Sequence, residues 1–420
     1  MENTNKNSTP DVQDAIRNAR ELGIPKMIIL GVQHTFTMFG ATVLVPLITG
    51  LNISVSLFMA GIGTLLFHLV TKGKVPAFLG SSFAFIAPIL TVTEVTGDIA
   101  YAQGGLVVAG IVYLVISLLV YIFGVEKVIK VFPPVVTGPI IIVIGLKLAP
   151  TAIGMASTNW MLAISAFAIV TIVSIFAKGF LKVIPVIIGL IGGYLIAVFT
   201  GNVDFSAMGQ ASAVGLPPFT LAKFSMTGVM MVAPVALATV IEHFGDVMAI
   251  GATVEKDYMS DPGVHRTLIG DGIATSLSAM FGGPANTTYS ENTGVLALTR
   301  VWDPAIMRIA ACVAIILGFS PKLGALIQTI PTAVVGGISI ILFGMIASIG
   351  ARTLVERHVD FTHQKNLIIA AVILILGLGG AQLPINIGLL SFTIEGMALA
   401  AIVGIVLNLI LPDMEAVDEE

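Results

Sequence analysis

The chain is written almost throughout as long apolar runs separated by short polar breaks. The runs fall at 27–49, 52–71, 81–96, 102–123, 131–149, 160–177, 183–200, 227–251, 267–281, 287–299, 304–319, 323–349, 366–380 and 388–411. An apolar helix needs about 20 residues to cross a bilayer, and most of the runs are of that order. Two are short and begin with polar residues, 81–96 and 287–299. The second lies in Gly282 to Arg300, which is crowded with Asn, Thr, Tyr and Ser around a single acid, Glu291. Asn286 to Ser290 is rich in β-branched and turn-forming residues and reads as extended, whereas Asn292 to Leu298 reads as a short helix. Five extended residues at ~3.3 Å and nine helical ones at ~1.5 Å reach about 30 Å together. Such a broken span frees backbone groups at mid-membrane, which is tolerated only where they line a cavity or pack within protein.

The basic residues sort these runs into a topology. With an even number of spans and a cytoplasmic N-terminus, only Lys147, Lys223 and Lys322 of the 20 basic residues fall outside. Lys and Arg accumulate on the cytoplasmic side of membrane proteins, and merging or dropping one run scrambles the alternation downstream. The expectation is an all-α polytopic protein with 14 transmembrane segments and both ends in the cytoplasm. The halves also echo each other. Phe132-Pro133-Pro134 resembles Ile330-Pro331-Thr332, Phe39-Gly40 resembles Phe244-Gly245, and Ser81-Ser82-Phe83 resembles Thr287-Thr288-Tyr289. Seven segments per half is odd, so the second repeat is inverted, and the short segments 3 and 10 form a matched pair. Secondary transporters with this plan hold substrate at the repeat interface.

Composition agrees: 56% of residues are hydrophobic and only 10% charged, against about 25% charged in a soluble domain. The net charge of −4 is too small to suggest a nucleic-acid partner. The single cysteine, Cys312, excludes an intramolecular disulfide and a cysteine-based metal cluster. Met1 to Arg20 is polar and reads as a tail or surface helix, and Asp413 to Glu420 as an acidic cytoplasmic tail. No metalloprotease, nucleophile-elbow or phosphate-loop motif is present, so neither an enzyme nor an ATP-driven pump is indicated, and no metal or cofactor is expected.

Ionisable groups inside the membrane are costly, and their default reading is functional. Glu242 and Asp246 stand at i and i+4, on one face of the eighth segment. His243 points about 100° away and reads as structural. Glu291 sits at the strand–helix join of segment 10; its bland alternative is a carboxylate that only satisfies a helix start. Gln33-His34 lies in the first segment. Ser82 and Phe83, in Ser81-Ser82-Phe83-Ala84-Phe85, could offer free backbone N–H groups and a ring to a planar polar ligand.

These residues resemble the motifs of the nucleobase–ascorbate transporters. Glu291-Asn292-Thr293-Gly294 through Thr299-Arg300 is similar to the family signature: Gln or Glu, Asn, any residue, Gly, four of any kind, Thr, then Arg, Lys or Gly. Gln33-His34, Gly80 to Phe85 and Glu242-His243 resemble its motifs of the first, third and eighth spans. The resemblance runs from about Lys26 to Pro412. It implies a core domain at 26–124 and 226–320 and a gate domain at 125–225 and 321–412, flanked by tails at 1–25 and 413–420. It also implies that Glu242 and Glu291 hold a nucleobase, with the backbone of Phe83 and Ser290 in contact and Tyr289 and Ser82 beside them. Glu242, Asp246, His34 and Glu291 are then candidates for proton coupling, and Gln33, Asn292 and Thr299 for structural support. Uracil permeases of the family often have His at the position of Asp246, Gly at Ser290 and Tyr at Phe343. Xanthine and urate carriers commonly have Gln at Glu291, so the acid favours uracil.

The reading is a proton-coupled uracil importer in the cytoplasmic membrane, with a possible homodimer through the gate domain. A xanthine or broader nucleobase carrier is the alternative; anion exchange and channel-like conduction are a different class, disfavoured by the acidic site. A cysteine placed at Gln382 in a Cys312→Ala background should react with an impermeant thiol reagent added outside intact cells, and one placed at Thr362 should not. Labelling at Thr362 in sealed cells would overturn the topology.

Overall fold

A computed structural model describes residues 15–387 and 390–412; the remaining parts of the two tails lie outside the described residues. The first half holds α1 (Ile24–Thr49), α2 (Ile53–Val70), β1 (Leu79–Ser81), α3 (Ile86–Thr96), α4 (Ile99–Phe123), α5 (Val125–Ile129), α6 (Pro134–Lys147), α7 (Ala149–Ala156), α8 (Trp160–Phe176), α9 (Pro185–Phe199) and α10 (Ser206–Gln210). The second holds α11 (Met226–Val232), α12 (Ala236–Val254), α13 (Val264–Met280), β2 (Asn286–Thr288), α14 (Ser290–Thr299), α15 (Pro304–Gly318), α16 (Pro321–Gln328), α17 (Thr332–Glu356), α18 (Gln364–Leu378), β3 (Gln382–Ile387), β4 (Leu390–Glu395) and α19 (Gly396–Ile410). Each apolar run of the sequence overlaps at least one of these helices. Among the described residues six helical stretches are long and apolar enough to cross a bilayer unaided, counting α6–α7 and α11–α12 as one each, and α15 and α16 form a pair bent by 81°.

The centre of the molecule is the antiparallel pair β1–β2, in register Leu79↔Thr288, Gly80↔Thr287 and Ser81↔Asn286. Every one of these six residues is buried. A two-stranded sheet has two bare edges, which is costly where no water can pair them. Two threonine hydroxyls close them. Leu79 N–H donates to Thr64 Oγ1 of α2 at 2.9 Å, and Asn286 N–H donates to Thr275 Oγ1 of α13 at 3.2 Å, with Thr275 donating back to Asn286 O at 2.9 Å. Leu79 and Asn286 begin the two strands, and α2 and α13 precede them in the two halves, so the same device appears twice. Gly80 is required by close approach: a Cβ there would overlap the Tyr289 ring and the Thr42 hydroxyl.

Around this pair the closest helix packing falls into two groups. One joins α2 to α13 and α15, α4 to α13, and α1 to α15; the other joins α6 to α17 and α18, α8 to α9 and α17, and α18 to α19. Small residues permit it: Gly110 of α4 lies against Gly272 and Ser276 of α13, and Gly138 of α6 against Gly350 and Leu354 of α17.

Five details differ from the sequence reading. The strand ends shift the repeat correspondence by one residue: Ser82 and Tyr289 are the extended residues that follow the strands, so Phe83 pairs with Ser290 rather than with Tyr289. Ser290 is helical, the first residue of α14. The run at 323–349 is broken into α16 and α17, because Pro331 cannot continue a helix from Gln328 and instead starts a new one. In the run at 388–411 the described helix begins at Gly396, and Leu390–Glu395 forms β4, paired antiparallel with β3 from Gln382↔Glu395 to Ile387↔Leu390. Leu383, Ile385 and Ile387 alternate with polar residues or proline, and Leu390, Phe392 and Ile394 with Ser391 and Thr393; that period of two marks strands and breaks the all-helical expectation locally. Lastly, part of the polar N-terminus is docked. Ile16 bridges Val301, Ala19 N–H donates to Asp303 Oδ2 at 2.7 Å, and Arg17 stacks over Trp302 while donating to Val254 O.

Candidate functional site

Both strands end at the middle of the fold, and a helix starts from each. Ser82 and Tyr289 complete the extended stretches; Phe83 and Ser290 open the helical ones. The first N–H groups of a helix have no partner within it. Two such groups of donors therefore converge beside the sheet, one from each repeat.

α12 passes alongside and supplies the acids. Glu242 and Asp246 share a face, as their spacing requires. Asp246 Oδ1 accepts from Ser290 Oγ at 2.6 Å, which fixes α12 against the first turn of α14. Glu242 lies close enough to Glu291 and Asp271 for their charges to interact. Ser290 and Glu291 remain accessible to solvent although α14 starts at the centre of the fold. On α12 the accessible residues are Gly245, Met248, Ala249 and Ala252, at helical spacing, while Ala236, Ala238, Thr239, Val240 and Ile241 are buried. The exposed positions of α12 thus lie in its C-terminal half, and its N-terminal half is mostly enclosed by its neighbours.

The other expected residues divide between this opening and its supports. Phe83 is half-buried and meets the Phe343 ring of α17 edge-on at 6.2 Å between centroids, so an aromatic wall joins the two packing groups. Ser82 is buried with its hydroxyl unpaired among the described residues. Tyr289 is buried, and its hydroxyl donates to Ser81 O at 2.9 Å across the two strands; it stiffens the pair rather than facing the opening. Asn292 donates to His34 Nδ1 and to His34 O, each at 3.1 Å, and so ties α14 to α1. Gln33 is half-buried, and its backbone carbonyl accepts from Thr37. Thr299 caps the far end of α14 through Val295 O and Val301 N–H.

His243 is tied into a network that the sequence analysis did not single out. Its Nδ1 is hydrogen-bonded to Asp271 Oδ2 at 2.7 Å and its Nε2 to Thr267 Oγ1 at 2.8 Å, all three residues being fully buried. Asp271 also accepts from Thr288 of β2 at 3.4 Å, and Tyr113 covers His243 edge-on. This network joins α12, α13 and β2 and sets the height of Glu242 relative to the strand ends. Asp271, between Gly270 and Gly272 in the run 267–281, carried the same signal as the other acids: a charge inside an apolar span.

A family model described as a permease family matches residues 25–387. The chain belongs to the nucleobase–ascorbate transporter family. It is 46% identical over 404 residues to the uracil permease of Bacillus caldolyticus, covering 93% of each chain. It is 39% identical over 420 residues to the putative pyrimidine permease RutG of Escherichia coli (strain K12), covering 96% of this chain and 93% of that one. The solved transmembrane domain of a cyanobacterium bicarbonate transporter, BicA, superposes with a TM-score of 0.64 at 15% identity, over 94% of this chain and 99% of that one. At that identity the likeness concerns the fold, an inverted-repeat transporter fold. A member of this family is a multi-pass membrane permease and not an enzyme.

His243→Ala removes the closest partner of the Asp271 carboxyl and leaves it, in a fully buried site, with only the long bond from Thr288, at a cost of about 1–3 kcal/mol. Asp271→Asn keeps an acceptor for His243 and should cost less. Thermal unfolding of the purified variants in one detergent should place them in that order. Equal melting temperatures for wild type and His243→Ala would show that the network does not hold α12.

Proposed function

We propose that the protein imports uracil across the cytoplasmic membrane by proton-coupled alternating access. The observation that carries this reading is the packing of α12, with Glu242 and Asp246, against the start of α14, with Ser290 and Glu291, beside the two helix starts at Phe83 and Ser290. A pyrimidine dione offers N–H donors and C=O acceptors in one plane. Two carboxyls and two sets of free N–H groups match both kinds of edge, and the Phe83 ring offers a face. Ionised carboxylates only accept, so whichever acid meets a carbonyl must hold a proton, and a proton held there can travel with the base. Relatives named as uracil permeases, at 46% identity over almost the full length, support the same substrate.

In this reading the two packing groups are the core, 26–124 with 226–320, and the gate, 125–225 with 321–412. Fourteen spans and cytoplasmic termini then place the accessible half of α12 toward the cytoplasm, an inward-facing arrangement. Ser82, Tyr289, Asn292, Gln33 and Thr299 support the site, His34 and Asp246 assist proton movement, and the gate surface is available to a second copy. A broader pyrimidine carrier is the competing reading, favoured by the similarity to RutG.

Glu291→Gln keeps the size of the side chain, removes its titratable proton and brings an –NH₂ group into the site. An extra donor without a partner costs about 1–3 kcal/mol, so uracil affinity should fall roughly five- to hundredfold. Saturation binding to purified protein measures this, with thymine, cytosine and xanthine as competitors in the wild type. Unchanged affinity in the variant would remove Glu291 from the site; equal competition by thymine or cytosine would favour the broader carrier.

Asp246→Asn retains an acceptor for Ser290, so uracil binding should persist while the pH dependence of uptake flattens. The check is initial-rate uptake between mildly acidic and mildly alkaline external pH. An unaltered profile would exclude Asp246 from proton movement.

A further inference from the structure

Away from the acids, an open groove of about 490 Å³ runs along the seam between the two packing groups. Leu119 and Phe123 of α4 and Leu237 of α12 form one wall, and Ile402 and Val406 of α19 form the other. Lys127 of α5 stands at one end and is the one charged residue in the lining. Leu119, Phe123 and Val406 are exposed, so the groove opens sideways from the protein rather than into the central site. In a chain that spans a bilayer, such a side faces hydrocarbon, and from Ile116 to Phe123 the groove follows α4 for about 10 Å.

Lys127 sits where α4 gives way to the short polar helix α5, on the side that the charge alternation assigns to the cytoplasm. It makes no ion pair among the described residues, and Glu126, its neighbour on α5, is not part of the lining. An ammonium at the rim of an apolar channel, at headgroup depth, complements a lipid phosphate with its acyl chain laid along the channel. Phe132 forms part of the groove's lining and is itself nearly buried; its ring meets that of Phe244 at 6.4 Å between centroids. Phe244 lies on α12 between Glu242 and Asp246.

We propose that this groove binds one anionic glycerophospholipid, with its phosphate on Lys127 and an acyl chain against Leu119, Leu237 and Val406. The lipid touches both walls of the seam and, through Phe132 and Phe244, the helix that carries the site acids. Its effect on transport rests on the core-and-gate reading above; its binding does not.

Native mass spectrometry of the full chain, with added phosphatidylglycerol or phosphatidylcholine of the same acyl chains, tests this without any transport measurement. The wild type should retain one phosphatidylglycerol in preference to phosphatidylcholine. Lys127→Gln should lower phosphatidylglycerol retention about fivefold and leave phosphatidylcholine unchanged. Val406→Trp, which fills the groove, should lower both. Lys182→Gln, a lysine on the same side but outside the lining, serves as the control and should change neither. No preference in the wild type, a preference that survives Lys127→Gln, or an equal loss in Lys182→Gln would each overturn the proposal. Because Lys127→Gln lies at an exposed position, the test stands even where Val406→Trp fails to fold.

Discussion

Two short strands meeting inside an apolar protein impose the condition on which the rest of the structure depends. Their edges carry backbone groups that neither lipid nor aliphatic side chains can pair. The chain answers with Thr64 and Thr275, presented by the helices that precede the strands in each half. That requirement fixes α2 and α13 against the sheet and brings the two repeats together in antiparallel register. Gly80 and Tyr289 then settle the spacing, since the ring occupies the space that a Cβ would need.

Ending the strands there has a chemical consequence. Each gives way to a helix whose first N–H groups have no internal partner, and these face the place where α12 presents its acids. The same break that is costly as membrane structure creates the donors of the site. The acids need equal care, and they receive it indirectly: His243, Asp271 and Thr267 are buried behind α12 and hold it, leaving Glu242 and Asp246 on the open face. Asp246 in turn is tied to Ser290, so α12 and the start of α14 form one unit. Asn292 extends that unit to α1 through His34.

The seam between the two packing groups is where the proposed alternating access would move such a unit against its surroundings. Its contacts there are mostly apolar, and several are aromatic: Phe83 with Phe343, and Phe132 with Phe244. Ring contacts of this kind are weakly directional compared with hydrogen bonds and tolerate sliding. The side-chain hydrogen bonds that α12 makes to Ser290, Asp271 and Thr267 stay within its own group. The network around His243 is thus internal to one group, and the ring contacts beside it at the seam are apolar.

Much of this was legible in the sequence, for a physical reason. Bilayer-length apolar runs, the sorting of Lys and Arg and the cost of a charge in lipid are properties of composition and order, which is why the runs, the polar start of segment 10, and Glu242, Asp246 and Glu291 stand out in the sequence. The residue-level placements were not legible. Asp271 carried a visible charge, but its partner His243 lies 28 positions away in the chain, and only folding makes them a pair. The one-residue shift between the repeats depended on where the strands lie, which the antiparallel register from Leu79↔Thr288 to Ser81↔Asn286 decides. The hairpin β3–β4 was hidden because a long apolar run outweighs a period of two when both occupy the same residues. Ser290 looked extended by propensity, yet the bond from its side chain to Asp246 belongs to a helical first turn. Order along the chain determines what must be buried; which buried groups then find each other is settled only when distant segments pack.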